Sequence, residues 1–189
     1  VEMLACQTTP CEGMRVRLAA ERGAVQVERD AAVFDGIARR FAPDPASPGD
    51  IGIAVDLGTT TVACYAVDLE TGEVVASGGE ANPQAAYGAD VISRIQACSE
   101  GRLDELQSRA ASCIGRLARD LCAQAQADPA RIMRWSIAGN TVMEHIACGI
   151  SPEGIGVFPF TPQTLFGDVR SVPGAADAAY LAPCVSGYV

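Results

Sequence analysis

The stretch that most restricts the fold of this chain is Ile51 to Thr61, IGIAVDLGTTT, in which an apolar alternation runs into an acid, a glycine and three hydroxyl residues. Apolar side chains at Ile51, Ile53 and Val55 point one way, as in a strand with one buried face. Gly58 permits a tight turn, and the β-branched run Thr59 to Val62 favours a second strand. Such a turn can set backbone N–H groups and threonine hydroxyls around an anion, with the Asp56 carboxylate near enough to hold a metal ion or a water. The same residues also make an ordinary hairpin whose threonines are only strand formers.

Beyond the turn, TVACYAVDLETGEVVASGG reads as two more strands joined by Asp68 to Gly72, where Asp, Thr and Gly supply turn chemistry. Helical spacing of Val91, Ile92, Ile95 and Cys98 places a helix over 88–98. Leu103, Leu106, Ala110, Ile114, Leu117, Leu121 and Ala125 step by three and four, which predicts a second helix over 102–127, broken by Asp128-Pro129. A buried strand is expected over 132–138, with Trp135 in the core, and a helix over 141–148. Upstream, 14–28 suggests a hairpin turning at Gly23 and Phe34 to Phe41 a short helix. Pro43, Pro45, Pro48 and Gly49 mark a linker, so the domain starts at about Asp50.

The junction Gly139-Asn140-Thr141 is a second chemical candidate. A glycine-led turn after a strand, with a helix start behind it, is where α/β sheets take ligands. Thr141-x-x-Glu144 is also a capping box, which leaves Glu144 as a cap or as a catalytic carboxylate. Asp90 reads equally as a helix start paired with Arg94 and as a cleft carboxylate. His145, the single histidine, belongs to no HExxH and reads as packing or surface rather than a ligand.

Composition removes several classes of function. The 189 residues carry a net charge of −9 and no lysine, all 14 basic residues being arginine. No basic face forms, so nucleic acid is an unsuitable partner. Without lysine there is no P-loop, and no GxGxxG is present. No signal pattern or apolar run of ~18 to 20 residues appears, so no membrane association is expected. The eight cysteines form no CxxC pair, and most lie in apolar patterns, as buried thiols do in a reducing cytoplasm. Cys6 and Cys11 match half of a plant-type ferredoxin spacing, but Met14 stands where a third ligand is needed.

The order strand, turn, strand, turn, strand, then helices resembles the opening lobe of the actin, sugar-kinase and heat-shock ATPase superfamily. That likeness implies a ribonuclease H-like α/β fold, a mixed sheet of about five strands flanked by helices, the first three antiparallel, with ATP phosphates held at the first turn. A closer resemblance lies in AVDLGTTTVACYAVDLETGEVVA (54–76), NPQAAYGADVISRI (82–95), AGNTVMEHIACGISP (138–152) and VFPFTP (157–162). These four blocks, in order, are similar to the ATPase-like (ASKHA) domain of reductive activators of corrinoid-dependent methyltransfer proteins. MLACQTTPCEGMRVRLA (3–19) resembles the end of the [2Fe-2S] ferredoxin domain that many of them carry, with Cys6 as its last cluster ligand. LAPCVSGYV (181–189) is similar to the segment that leads to their second lobe.

The resemblance implies a ferredoxin tail over 1–20, a linker over 21–49 and a first ATPase lobe over 50–189, the whole being an internal piece of a longer protein and inactive alone. Mg-ATP would be held by Asp56, Gly58, Thr59, Thr60, Thr61, Gly139, Asn140 and Thr141, with Asp56 on the metal. Catalytic residues are not assigned. In the full-length protein a [2Fe-2S] cluster would pass an electron to a corrinoid protein, turning Co(II) into Co(I) at the expense of ATP. Apolar surface near Phe158, Phe160 and 181–189 would be left uncovered, which allows a homodimer. A small-molecule kinase of the same superfamily and a non-catalytic docking domain for the corrinoid protein are the alternative readings.

Overall fold

The structure, a computed structural model, describes residues 48–184. The expected hairpin at 14–28, the short helix at 34–41, Cys6, Cys11 and residues 185–189 lie outside the described residues. Strands β1 (Ile51–Leu57), β2 (Thr61–Asp68) and β3 (Val74–Ala81) form an antiparallel meander, as their alternation predicts. The β2–β3 turn is closed by the Asp68 carboxylate, which accepts from the amides of Glu70 at 2.8 Å and Thr71 at 2.9 Å.

Helix α1 (Val91–Ala97) is joined to the long α2 (Leu103–Gln124) through a kink at Cys98–Arg102, where Gly101 takes φ +84°. Strand β4 (Ile132–Gly139) then runs parallel to β1, and α3 (Thr141–Ala147), α4 (Glu153–Gly156), β5 (Val169–Val172) and β6 (Ala176–Leu181) follow. The strands assemble in the order β3-β2-β1-β4-β6-β5, a mixed six-stranded sheet. The fifth and sixth strands form the β5–β6 hairpin, which the sequence reading did not resolve. Its strands are short, and Gly174, at φ +83°, turns the chain between them where a side chain would strike the Ala111 carbonyl.

The core lies between one face of the sheet and the helices. Ile53, Val55, Val62, Cys64, Ile137 and Leu181 meet Leu106, Ile114, Leu121, Val142 and Ile146 in one buried cluster. The α2 stripe is as predicted, widened by Cys113, Ala118 and Cys122. On the opposite face of the sheet Asp56, Arg134, Ser136 and Ala138 are exposed. Trp135 is half-buried against the core. In α1 the expected apolar set changes, because Ile92 is 60% exposed while Arg94 takes the buried position at 0%. Helix α2 stops at Gln124, short of Asp128, which instead caps a 3-10 turn at Pro129–Arg131.

Candidate functional site

Parallel pairing of β1 with β4 runs as far as Leu57 beside Gly139, so the two chains leave the sheet together at Gly58 and Asn140. The two segments singled out in the sequence therefore meet. Asn140 caps α3 by accepting from the Met143 amide at 3.0 Å, and its Nδ2 donates to Thr59 Oγ1 at 3.0 Å. The Thr59 hydroxyl keeps its own hydrogen for a further acceptor. By strand alternation Thr61 lies on the same side of the sheet as Asp56 and Ala63. Thr60 is exposed at the turn. Thr141 departs from the group, being 3% exposed, with its hydroxyl engaged by Cys184.

Behind the turn lies a buried polar network that the sequence reading missed. Asn82 donates from Nδ2 to the Gly58 carbonyl at 2.8 Å and from its backbone N to the Thr60 carbonyl at 2.8 Å. Arg94 donates from Nη2 to the Thr59 carbonyl at 2.6 Å, from Nη1 to Gln84 Oε1 at 3.2 Å and from Nε to the Gly88 carbonyl at 3.0 Å. Its Nη1 also lies 3.1 Å from Met143 Sδ, on α3. A signal did exist in the sequence: Arg94 stands on the same helical stripe as Val91 and Cys98, where a charge is out of place.

Two expected roles change, and Asp90 takes one of the two readings left open. Asp90 caps α1, its carboxylate accepting from the Ser93 amide at 2.8 Å and hydroxyl at 2.9 Å, which with the helix start holds its pKa below the usual range. Arg94 is directed at the turn rather than bonded to Asp90. The capping box is not formed at Thr141, since Asn140 is the cap and Glu144 reaches back to the Gly139 amide at 2.9 Å. Glu144 is fully buried, and burial raises its pKa to about 7 against the pull of bonds from Cys184 and Gly139.

His145 is buried too. Its Nε2 accepts from the Gln163 amide at 3.2 Å, so Nδ1 carries the hydrogen and donates to the Thr141 carbonyl at 2.6 Å. Phe166 meets the ring edge-on at 5.0 Å, and burial lowers the imidazole pKa. It is a packed core histidine, as expected.

Residues 51–189 match the family described as the RACo middle region. The chain belongs to that family. A corrinoid activation enzyme, RamQ of Eubacterium limosum, is 32% identical over 111 residues, which cover 58% of this chain and 19% of RamQ. A solved structure of a reductive activator for a corrinoid, iron-sulfur protein superposes with a TM-score of 0.71 at 36% identity, over 77% of this chain and 24% of that one. This RACo-family chain thus spans about a fifth to a quarter of the length of these two relatives.

The described residues offer no ready-made cage for a resident metal or cluster. Among the described residues no group of three or more His, Cys, Asp or Glu is placed to hold a metal ion. Magnesium needs no such cage, because one carboxylate, waters and the phosphates themselves complete its shell. Asp56, exposed at the end of β1, is a carboxylate open to such a shell. The described cysteines do not fit an iron–sulfur cluster. Cys64, Cys98, Cys113 and Cys122 are buried with raised pKa values, the Cys64 thiol being pushed up to about 12 by burial.

Proposed function

We propose that this domain is the nucleotide-binding lobe of an ATP-dependent reductive activator of a corrinoid protein. The observation that carries the reading is the meeting of the Gly58–Thr60 turn with Asn140 at one end of two parallel strands. Such an arrangement suits phosphate, because hydroxyls and backbone amides gather where a sheet takes ligands, with a single carboxylate beside them for Mg²⁺. The names of the relatives support the choice of reaction: one is a corrinoid activation enzyme, the other a reductive activator.

In this reading Asp56 orients hydrated Mg²⁺, Gly58 to Thr61 contact the phosphates, and Gly139 and Asn140 fix the turn from the β4 side. ATP binding or hydrolysis is coupled to delivery of one electron, from an iron–sulfur domain of the whole protein, to Co(II) of the partner corrinoid, which becomes Co(I). Work of that kind belongs in a reducing cytoplasm.

The test is ATP turnover by the full-length protein with and without a reduced electron source and a corrinoid protein, with cobalt followed by its absorbance. Corrinoid-stimulated hydrolysis together with Co(I) formation is the expected result. Phosphorylation of a small molecule would establish the kinase instead. Corrinoid binding without turnover would leave only the docking domain.

A further inference from the structure

We propose that Arg94 is a positioning residue for the nucleotide phosphates, holding the Gly58–Thr60 turn by its carbonyls so that the Thr59 and Thr60 amides face the ligand. The inference rests on the nucleotide reading above and names a residue to which that reading gives no part. Three successive carbonyls, of Gly58, Thr59 and Thr60, are taken by Asn82 Nδ2, Arg94 Nη2 and the Asn82 amide. A trans peptide is planar, with its C=O and N–H pointing in opposite directions. Holding the Gly58 and Thr59 carbonyls from behind therefore sends the Thr59 and Thr60 N–H groups out of the front. Among the described residues neither amide has an acceptor. Two unpaired amides in sequence on a turn are an anion cradle.

The charge of Arg94 points the same way. The guanidinium is completely buried, and the groups that it bonds are neutral: three oxygens and a thioether. The nearby Asp90 carboxylate is exposed and engaged with Ser93. Buried charge is costly unless something compensates it, and an anion in front of the turn supplies the missing counter-charge through a low-dielectric layer one peptide thick. An arginine suits the place because its planar fork serves the turn, the Gln84 side chain, Gly88 and α3 at once, whereas a lysine ammonium is a single point of attachment.

The experiment compares full-length wild type with Arg94→Met and Arg94→Lys, using calorimetric titration with Mg-ATP and with adenosine, which has no phosphate. Hydrogen exchange over 58–61 is followed without ligand. R94M is expected to lose about tenfold or more in Mg-ATP affinity while adenosine affinity is unchanged, with faster exchange over 58–61. R94K should fall between R94M and wild type. If R94M does not fold, R94K carries the test by the same contrast between ATP and adenosine. Wild-type affinity for Mg-ATP in a folded variant overturns the role of Arg94 alone, as does equal weakening of ATP and adenosine. No Mg-ATP binding by wild type overturns the nucleotide reading, and the role of Arg94 with it.

Discussion

Glu144 shows how burial turns one side chain into a pH-dependent element of stability. Its folded pKa of about 7 lies above the ordinary 4.5, so between these values the folded protein holds a proton that the unfolded chain releases. Stability must therefore fall as pH rises from about 4.5 to about 7, by at most on the order of 3 kcal/mol. Glu144→Gln keeps an oxygen for the Gly139 amide and removes the ionisation. Urea denaturation is expected to show E144Q gaining on wild type from pH 5 to pH 8, and a constant difference would show that the carboxyl ionises as if exposed. His145, with its lowered pKa, acts in the opposite sense, losing stability as pH falls below about 6.5, but it is present in both proteins and cancels. Asp56 carries the complementary prediction. Asp56→Ala removes no buried contact and should leave the melting temperature in place while costing roughly 1.5 to 3 kcal/mol of Mg-ATP binding. Unchanged ATP affinity would remove Asp56 from the site. At this scale the Asp90 cap was legible in sequence, because a cap depends on neighbours three residues away. The bonds of Arg94 were not, because its targets lie up to 49 residues along the chain.

Elements differ in how much of their role is local. Helix α2 was readable because its stripe is regular, and the same regularity makes its cost predictable. Leu121 is 1% exposed, and Leu121→Ala should destabilise by about 2 to 5 kcal/mol in chemical denaturation, whereas Phe158→Ala, at 85% exposure, should stay within about 0.5 kcal/mol. Phe158 and Phe160 are uncovered as expected, but Leu181, placed with them from the sequence, is buried on β6. The β1–β2 turn makes the opposite demand, for absence of a side chain. A Cβ at Gly58 would lie 2.7 Å from the Thr61 carbonyl, whereas at Gly78 it would meet only Leu121 Cδ2 at 3.5 Å. Gly58→Ala is expected to distort the turn and weaken Mg-ATP binding, with Gly78→Ala near neutral in both stability and binding. Equal behaviour of the two variants in titration would show that the turn tolerates displacement. The capping box at Thr141 failed for an element-scale reason: Thr141 and Asn140 are both competent caps, and the end of β4 decides which of them begins the helix.

For the whole molecule the buried thiols report cooperativity. Cys64, Cys98, Cys113 and Cys122 sit inside the one core cluster or along its α2 flank, and burial raises the pKa of each. Alkylation at pH 8 should leave these four unmodified in the native protein and modify them together in denaturant, with mass spectrometry as the readout. Early modification of Cys64 alone would mean that the β1–β2–β3 meander opens separately from the helices. Among the described residues no helix is long and apolar enough to cross a membrane. The amino-acid sequence determined the order of the elements from β1 to α3, the strand that ends in an acid and a hydroxyl-rich turn, and the helical stripe that covers the sheet. Those features follow from the residue periods of strand and helix and from local turn chemistry, which act over a few neighbours. Only the tertiary structure decided that Asn82 and Arg94 hold the turn from behind and that Glu144 is a buried carboxyl near neutrality. Those outcomes depend on parallel pairing and on which face of α1 is closed over, and both are fixed by contacts between residues far apart in the chain.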